Sequence, residues 1–305
     1  MIVRYLDYLV ALARERHFAR AAAACNVTQP TLSAGIKQLE ESLGVLIVER
    51  RQRFVGFTPE GERVLAWAQR ALADYGGLTQ ELSELREGLA GQLRIGAIPV
   101  SLPALALLTA PFGAIHSKTR FQITSQTSSD IQRELDDFTI DVGLTYLDND
   151  PLSRVRTVPL YRERYVLITR EASGFSGLKS ISWAKAATLP LCLLTPSMQN
   201  RRIIDTQFHA AGAHVNAVME TNSLVTLWTH LLFGQLSTVV PQTFLLLFEQ
   251  RHGLISIPLV EPEAFHTLGL VAADRELLAP LPRALLEFAQ GLDLNAEIER
   301  RIHPT

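Results

Sequence analysis

A chain of 305 residues, 47% hydrophobic and 20% charged with a formal net charge of -2, has the composition of a globular protein with room for two or three cores. It excludes a uniformly basic polyanion binder, a low-complexity chain and a membrane-spanning protein, since the longest apolar-leaning run, residues 223–248, is broken by polar residues and Pro241. Its two cysteines, Cys25 and Cys192, have no partner pattern for a disulfide framework or a metal site, and both read as buried thiols.

The charge is unevenly placed. Residues 1–58 carry eight Lys/Arg against five Asp/Glu, and the remainder carries 21 against 26, so the N-terminal end has the sign expected of a nucleic-acid face. The opening MIVRYLDYLVALARERH contains Arg4, Asp7 and Arg14 and reads as a helix, not a signal peptide, which places the protein in the cytoplasm. Within it Leu6, Leu9, Val10 and Ala13 have the spacing of one buried face. A second helix through ARAAAAC follows the turn at His17-Phe18, its alanines permitting close helix approach, and ends near Asn26. In VTQPTLSAGIKQLEESLG, Thr28 can cap a third helix, Pro30 can sit in its first turn, Leu32, Ile36 and Leu39 recur at helical spacing, and Gly44 closes it.

Two helices joined by a short turn, the second opening on polar residues, is the helix-turn-helix arrangement, whose second helix enters the major groove of DNA. Thr28, Gln29, Thr31 and Ser33 are then the groups expected to face duplex DNA, because Gln can pair with adenine and hydroxyls can bond phosphate or base. Residues 45–48 and 54–57 are short apolar pieces around Arg50, Arg51 and Arg53, the pattern of a hairpin wing with a phosphate-contacting turn. Thr58-Pro59 opens a long helix with Leu65, Ala68, Leu72, Tyr75, Leu78, Leu82, Leu85 and Leu89 on one face, a stripe that pairing with a second copy would bury. Gly76-Gly77 offers that arm a place to bend.

From Gln92 onward the texture changes. QLRIGAI, FQITSQ, DVGLTYL, RYVLIT, LPLCLL, LSTVV, GLISIPL and TLGLVAA are strand-like runs alternating with helical segments such as residues 103–115 and 129–136, so α/β units with mostly parallel sheets are expected. The eight histidines lack metal spacing, and Asp130, Glu134, Asp136 and Asp137 read as a solvated helix face.

The stretch from Leu6 to Gly61 resembles the LysR-type transcriptional regulators. Phe18, Ala19, Arg20, Ala21 and Ala22 match the family's start of the second helix; Thr28, Gln29, Pro30, Thr31, Leu32 and Ser33 match its turn; Ile36, Leu39 and Glu40 match its recognition helix; Leu43, Gly44 and Arg50 match parts of the segment beyond. The resemblance implies a fold of an N-terminal winged helix-turn-helix (1–58), a long linker and dimerisation helix (59–90), and a C-terminal regulatory region of two α/β subdomains resembling a periplasmic ligand-binding protein. Subdomain I is placed at 91–160 and 267–305, and subdomain II at 161–266. It implies double-stranded promoter DNA as partner, a homodimer pairing into a homotetramer, a small-molecule effector, no membrane and no cofactor.

Where family members carry a long polar pair after the turn, this chain has Ala34-Gly35. Sequence reading therefore falls to Gln29, Thr31 and Ser33 beside Pro30, phosphate anchoring to Lys37, Arg50, Arg51 and Arg53, and part of the specificity to DNA shape, with Gly35 expected to bring the helix backbone closer to the groove.

The resemblance also maps an effector site between the subdomains, at Ser101, Thr127, Ser128, Ser129, Leu144, Thr145, Thr195, Met198, Gln199, Asn200, Asn222 and Val240. Ser101 ahead of Pro103 reads as a helix cap, and hydroxyls with free N–H groups at helix starts suit a small carboxylate or other anion. Each hydroxyl can instead merely cap its own helix, and one of Arg201 and Arg202 can face the cleft or both can lie on the surface. A neutral effector is the alternative. An enzyme is the competing class, but no nucleophile elbow, Walker lysine, dinucleotide loop or metal constellation is found, and no catalytic residue is assigned. A solute-binding protein would need an export signal.

Overall fold

The structure is a computed structural model that describes residues 2–50, 54–175, 177–215, 217–247 and 253–303. Contacts divide it into two compact units, Met1–Gly88 with Leu278–Pro280, and Leu89–Leu277 with Leu281–Thr305.

The first unit begins with α1 (Ile2–Glu15), α2 (Phe18–Ala24) and α3 (Gln29–Leu43). Thr28 caps α3 by accepting from the Thr31 N–H at 3.4 Å, Pro30 occupies the first turn, and Gly44 ends the helix at φ 69°. Asn26 makes the turn before α3 at φ 55°. The buried face of α1 is Tyr8, Leu9, Ala11 and Leu12, whereas Leu6, Val10 and Ala13 are half-buried. That face is rotated from the aliphatic stripe because aromatic Tyr8 fills the space against α3. Leu32, Ile36 and Leu39 of α3 close the same core with Ala21 and Ala22 of α2.

The antiparallel hairpin β1 (Val48–Arg50) and β2 (Phe54–Phe57) forms the wing. Buried Glu40 fastens it to α3, its Oε1 accepting from the N–H groups of Ile47 at 3.0 Å and Val48 at 3.1 Å. Next comes α4 (Pro59–Glu87), capped by Thr58, whose Oγ1 accepts from Gly61 N at 2.9 Å. Position 61 tolerates no side chain, since a Cβ there would lie 2.1 Å from the Ile47 carbonyl oxygen. The helix runs unbroken through Gly76-Gly77.

The second unit runs β3 (Gly91–Ala97), α5 (Leu102–Ile115), β4 (Thr119–Ser125), α6 (Ser128–Asp136), β5 (Val142–Tyr146), β6 (Val155–Glu163), β7 (Tyr165–Arg170), β8 (Ile181–Ser182), α7 (Trp183–Ala186), β9 (Cys192–Leu194) and α8 (Gln199–Ala210). It continues with β10 (Met219–Thr221), α9 (Leu224–Phe233), β11 (Thr238–Pro241), β12 (Leu254–Val260), β13 (His266–Ala273), α10 (Pro280–Gln290) and α11 (Leu294–Ile302). One sheet has the order β4-β3-β5-β13-β6, another β11-β7-β12-β8, and β9 pairs with β10. The chain passes between the two larger sheets at Arg164, between β6 and β7, and again between β12 and β13.

The sheets are mixed, which corrects the expectation of mostly parallel pairing. β3 pairs in parallel with β4 and β5, but β13 runs antiparallel to β5 and β6, and β7 antiparallel to β11 and β12. A parallel neighbour needs a helical crossover; β7 and β13 each enter straight from the other sheet and escape that constraint.

Candidate functional site

On α3 the residues divide cleanly by exposure. Gln29, Pro30, Thr31, Ala34, Lys37 and Gln38 are exposed, Ser33 is half-buried, and Leu32, Gly35, Ile36 and Leu39 are buried. Thr28 and Thr31 share a hydrogen bond at 2.8 Å between their hydroxyls, so the two side chains are held together at the start of the helix. Lys37 lies 3.6 Å from Glu41 in an exposed pair worth about 0.5 kcal/mol or less, which a phosphate can replace at little cost. Arg50 ends β1 at the wing tip, and Arg51 and Arg53 lie outside the described residues.

Gly35 does not face outward, and the expectation that it admits the groove is corrected. A Cβ there would stand 2.7 Å from Cδ2 of Tyr8 and 3.0 Å from Cδ1 of Tyr5, so the glycine exists to let α1 pack on α3. The exposed centre of the helix face is instead the methyl of Ala34, a group suited to a thymine methyl.

In the second unit, one cluster joins the C-terminal end of β5 to the start of α8. Thr145 Oγ1 donates to Gln199 Oε1 at 3.3 Å, and Asn200 Nδ2 donates to the Tyr146 hydroxyl at 2.9 Å. Gln199 Nε2 also bonds the Asn149 carbonyl. All four of these side chains, Thr145, Tyr146, Gln199 and Asn200, are buried, and Asn200 Oδ1 has no hydrogen-bond partner among the described residues. Met198 at the cap position of α8 supplies no side-chain acceptor, so the first-turn N–H groups lack a capping side chain.

The remaining expected residues are engaged elsewhere. Ser101 is fully buried and donates to the Ile98 carbonyl at 2.8 Å; it makes no side-chain cap to α5, because the chain enters that helix through a tight turn at Pro99–Ser101. Thr127 does cap α6, accepting from Asp130 N at 3.2 Å, with Ser128 buried and Ser129 exposed. The Asp130 carboxyl is held below its usual range by the Thr127 hydroxyl and Arg133, leaving a negative charge at that helix start that opposes an anion there. Leu144 and Val240 are buried strand residues, Thr195 bonds Ser197 at 3.1 Å, and Asn222 is exposed. Arg201 points inward, its guanidinium held by Asp205 at 2.8 Å and by Glu220 and the Leu194 carbonyl at 2.7 Å, so its charge is already matched.

With both sites in view, the comparisons decide the family. Residues 3–62 match the model described as a bacterial regulatory helix-turn-helix protein of the lysR family, and residues 86–292 match the LysR substrate binding domain. The chain belongs to the LysR-type transcriptional regulators. It is similar to the DNA-binding transcriptional dual regulator OxyR of Escherichia coli K12, with 31% identity over 274 residues covering 89% of each chain. It is also similar to a hydrogen peroxide-inducible genes activator of Pectobacterium carotovorum, at 30% identity over 274 residues, 89% of this chain and 90% of the relative. Among solved structures, a full-length OxyR variant from Pseudomonas aeruginosa superposes with a TM-score of 0.75 at 27% identity, covering 96% of this chain and 98% of that one.

As a LysR-type protein the chain is a ligand-responsive, DNA-binding regulator of a family whose members are typically oligomeric and non-catalytic. Its fold has the expected parts: helix-turn-helix, long linker helix and C-terminal α/β effector-binding region. Sequence reasoning missed Tyr146, Asn149, Glu163 and Thr243 around the regulator's buried polar cluster. Tyr146 follows Thr145 directly and reads as strand filler, and Glu163 in LYRERYVL looks like an ordinary charged strand end. No hydropathy signal in a single sequence marks either.

Proposed function

We propose that this regulator reads duplex promoter DNA with the exposed face of α3 and responds to a small anionic effector at the junction of β5 and α8. Exposure of Gln29, Pro30, Thr31 and Lys37 over the buried Leu32, Ile36 and Leu39 carries the DNA reading. Gln29 and Thr31, steadied by Thr28, contact base edges, Ser33 contributes from the flank, and Ala34 meets a thymine methyl. Lys37, Arg50, Arg51 and Arg53 anchor phosphates.

We place the helix-turn-helix at 1–58 and the linker at 59–90, with the regulatory subdomains at 91–160 plus 267–305 and at 161–266, in the cytoplasm. On α4, Leu65 and Ala68 of the expected stripe are buried in the chain's own core, but Tyr75 and Leu78 are 53% exposed, Leu82 50% and Leu85 80%, with Trp67 beside them 70% exposed. A second copy of α4 buries this surface, giving a homodimer, and two dimers make the tetramer. We assign it no catalytic role and no cofactor.

The effector enters between Thr145 and the start of α8, where Gln199 and Asn200 exchange their present bonds for bonds to it and the uncapped N–H groups favour negative charge. Ser101, Leu144, Thr195, Met198, Asn222 and Val240 complete the surroundings, and Thr127, Ser128 and Ser129, beside the ionised Asp130, border it without binding the anion. Differential affinity of the effector for two arrangements of the subdomains supplies the response. Although a relative is named for peroxide, the thiols here are unsuited to it: burial raises the Cys192 thiol, and burial and Asp7 raise that of Cys25, disfavouring the reactive thiolate. Titration calorimetry against small carboxylates, oxyanions and neutral metabolites tests the effector class. Neutral compounds binding while every anion fails would overturn it.

A further inference from the structure

Glu163, at the end of β6 where the chain leaves one sheet for the other, is fully buried. Its Oε1 accepts from the Tyr146 hydroxyl at 2.5 Å and its Oε2 from Thr243 Oγ1 at 3.5 Å. Among the described residues no cation is bonded to it. The groups around it come from every neighbouring element: Tyr146 on β5, Tyr161 on β6, Tyr165 on β7, Thr243 after β11, Asp148 after β5, and His266, its register partner on β13, which itself holds Asp148 at 3.1 Å. The neighbouring guanidiniums of Arg162 and Arg164 lie over Phe265, 4.9 and 5.2 Å from its ring centroid.

Taking an unpaired carboxylate out of water is costly, and the group holds a proton instead. Burial pushes the Glu163 carboxyl up to about 8, against the lowering effect of the Tyr146 and Thr243 hydroxyls. Burial first, and then Glu163, holds Tyr146, Tyr161 and Tyr165 well above the usual tyrosine range, so Tyr146 remains a hydroxyl with one proton to donate.

That single proton gives the chain Glu163–Tyr146–Asn200 two directions. With Glu163 ionised, Tyr146 donates to the carboxylate and must accept from Asn200 Nδ2, which leaves Oδ1 as the outward amide atom. With Glu163 protonated on the oxygen that faces Tyr146, the carboxyl O–H donates to the Tyr146 oxygen and Tyr146 donates onward, to the Tyr165 hydroxyl beside it or to an Asn200 amide turned end for end. In the turned amide the outward atom is the NH2 group. Asn200 Oδ1 has no partner among the described residues, so either orientation is open to it.

We propose that the proton on Glu163, relayed by Tyr146, sets whether Asn200 turns an amide donor or an amide acceptor away from Tyr146, and so sets the polarity of the effector site. The last step rests on the reading of Asn200 as an effector contact. Protonated Glu163 gives the donor form, which suits an anion; loss of its proton to water gives the acceptor form, which repels one.

Infrared spectroscopy of the full chain in deuterium oxide tests the relay without any ligand. At neutral pH the wild type shows a protonated-carboxyl C=O band that disappears with a midpoint near 8 and is absent from Glu163→Gln. Tyr146→Phe removes a donor to the carboxylate and moves that midpoint upward. In protein labelled with 15N-asparagine, the Asn200 side-chain signals shift with the wild-type midpoint and stay fixed in Tyr146→Phe. No carboxyl band at neutral pH, the same band in Glu163→Gln, or Asn200 signals that titrate in Tyr146→Phe as in wild type overturns the proposal. Should Glu163→Gln fail to fold, Tyr146→Phe still decides, because both readouts come from it. Failure of Asn200 as an effector contact shows separately, as unchanged anion affinity in Asn200→Ala, and leaves these spectra untouched.

Discussion

The ring of Tyr8 occupies the space that a side chain at position 35 would need. Cδ2 and Cε2 of Tyr8 stand 2.7 and 2.9 Å from where that Cβ would be, and Tyr8 is 2% exposed, so the ring has nowhere to go. Gly35→Ala gains about 1 kcal/mol of helix propensity but overpacks the α1–α3 contact by about 1–3 kcal/mol. The expected outcome is a lowered thermal transition of the DNA-binding unit, with weaker binding to all DNA sequences alike. Unchanged stability would show that α1 can retreat.

Gln29 and Arg51 should fail differently. Gln29→Ala is expected to lose about 1–3 kcal/mol of discrimination between operator and altered sites while retaining binding to scrambled DNA. Arg51→Ala should weaken both equally and reduce the salt dependence of binding by about one charge. Gel shifts at two salt concentrations separate the cases; equal loss on scrambled DNA for both variants contradicts the assignment.

The stripe on α4 predicts the oligomeric state. Replacing Leu78 and Leu82 with Glu puts charge into the surface that we assign to the partner helix, where a buried unpaired charge costs several kcal/mol. Sedimentation should show smaller species with no loss of helical signal. A wild-type distribution would place the contact elsewhere.

Stability should carry the signature of Glu163. Its folded carboxyl is raised from 4.5 to about 8, so between those values the folded chain holds a proton that the unfolded chain has released. Stability contributed by this group is therefore present at low pH and falls as pH rises through that window, by up to about 1.4 kcal/mol per pH unit. Urea unfolding of wild type against Glu163→Gln across the window should show this slope only in wild type.

Cysteine chemistry gives the last test. Cys25→Ser and Cys192→Ser, singly and together, are expected to leave promoter binding with and without peroxide as in wild type. A peroxide-dependent footprint abolished by either substitution would put a redox switch back into the chain.

Local chemistry made the DNA-binding end legible. Thr28, Pro30 and Gly44 act within one turn of where they stand, and Leu32, Ile36 and Leu39 carry the helical period, so α3 and its polar start could be read directly. The α/β character of the C-terminal region was legible for the same reason, but its pairing was not. Whether β13 runs with or against β5 depends on where the chain comes from, not on the composition of the strand.

The sequence by itself determined the caps, the periods, the charge asymmetry and the family motifs, because each acts over a few residues of contiguous chain. Only the tertiary structure decided which way Gly35 and Arg201 face, that Thr145 and Gln199 meet across 54 positions, and that Glu163 is buried with no cation bonded to it among the described residues. Burial and hydrogen bonding are properties of assembled neighbours, and a carboxyl at a strand end reads the same in sequence whether water or three tyrosines surround it.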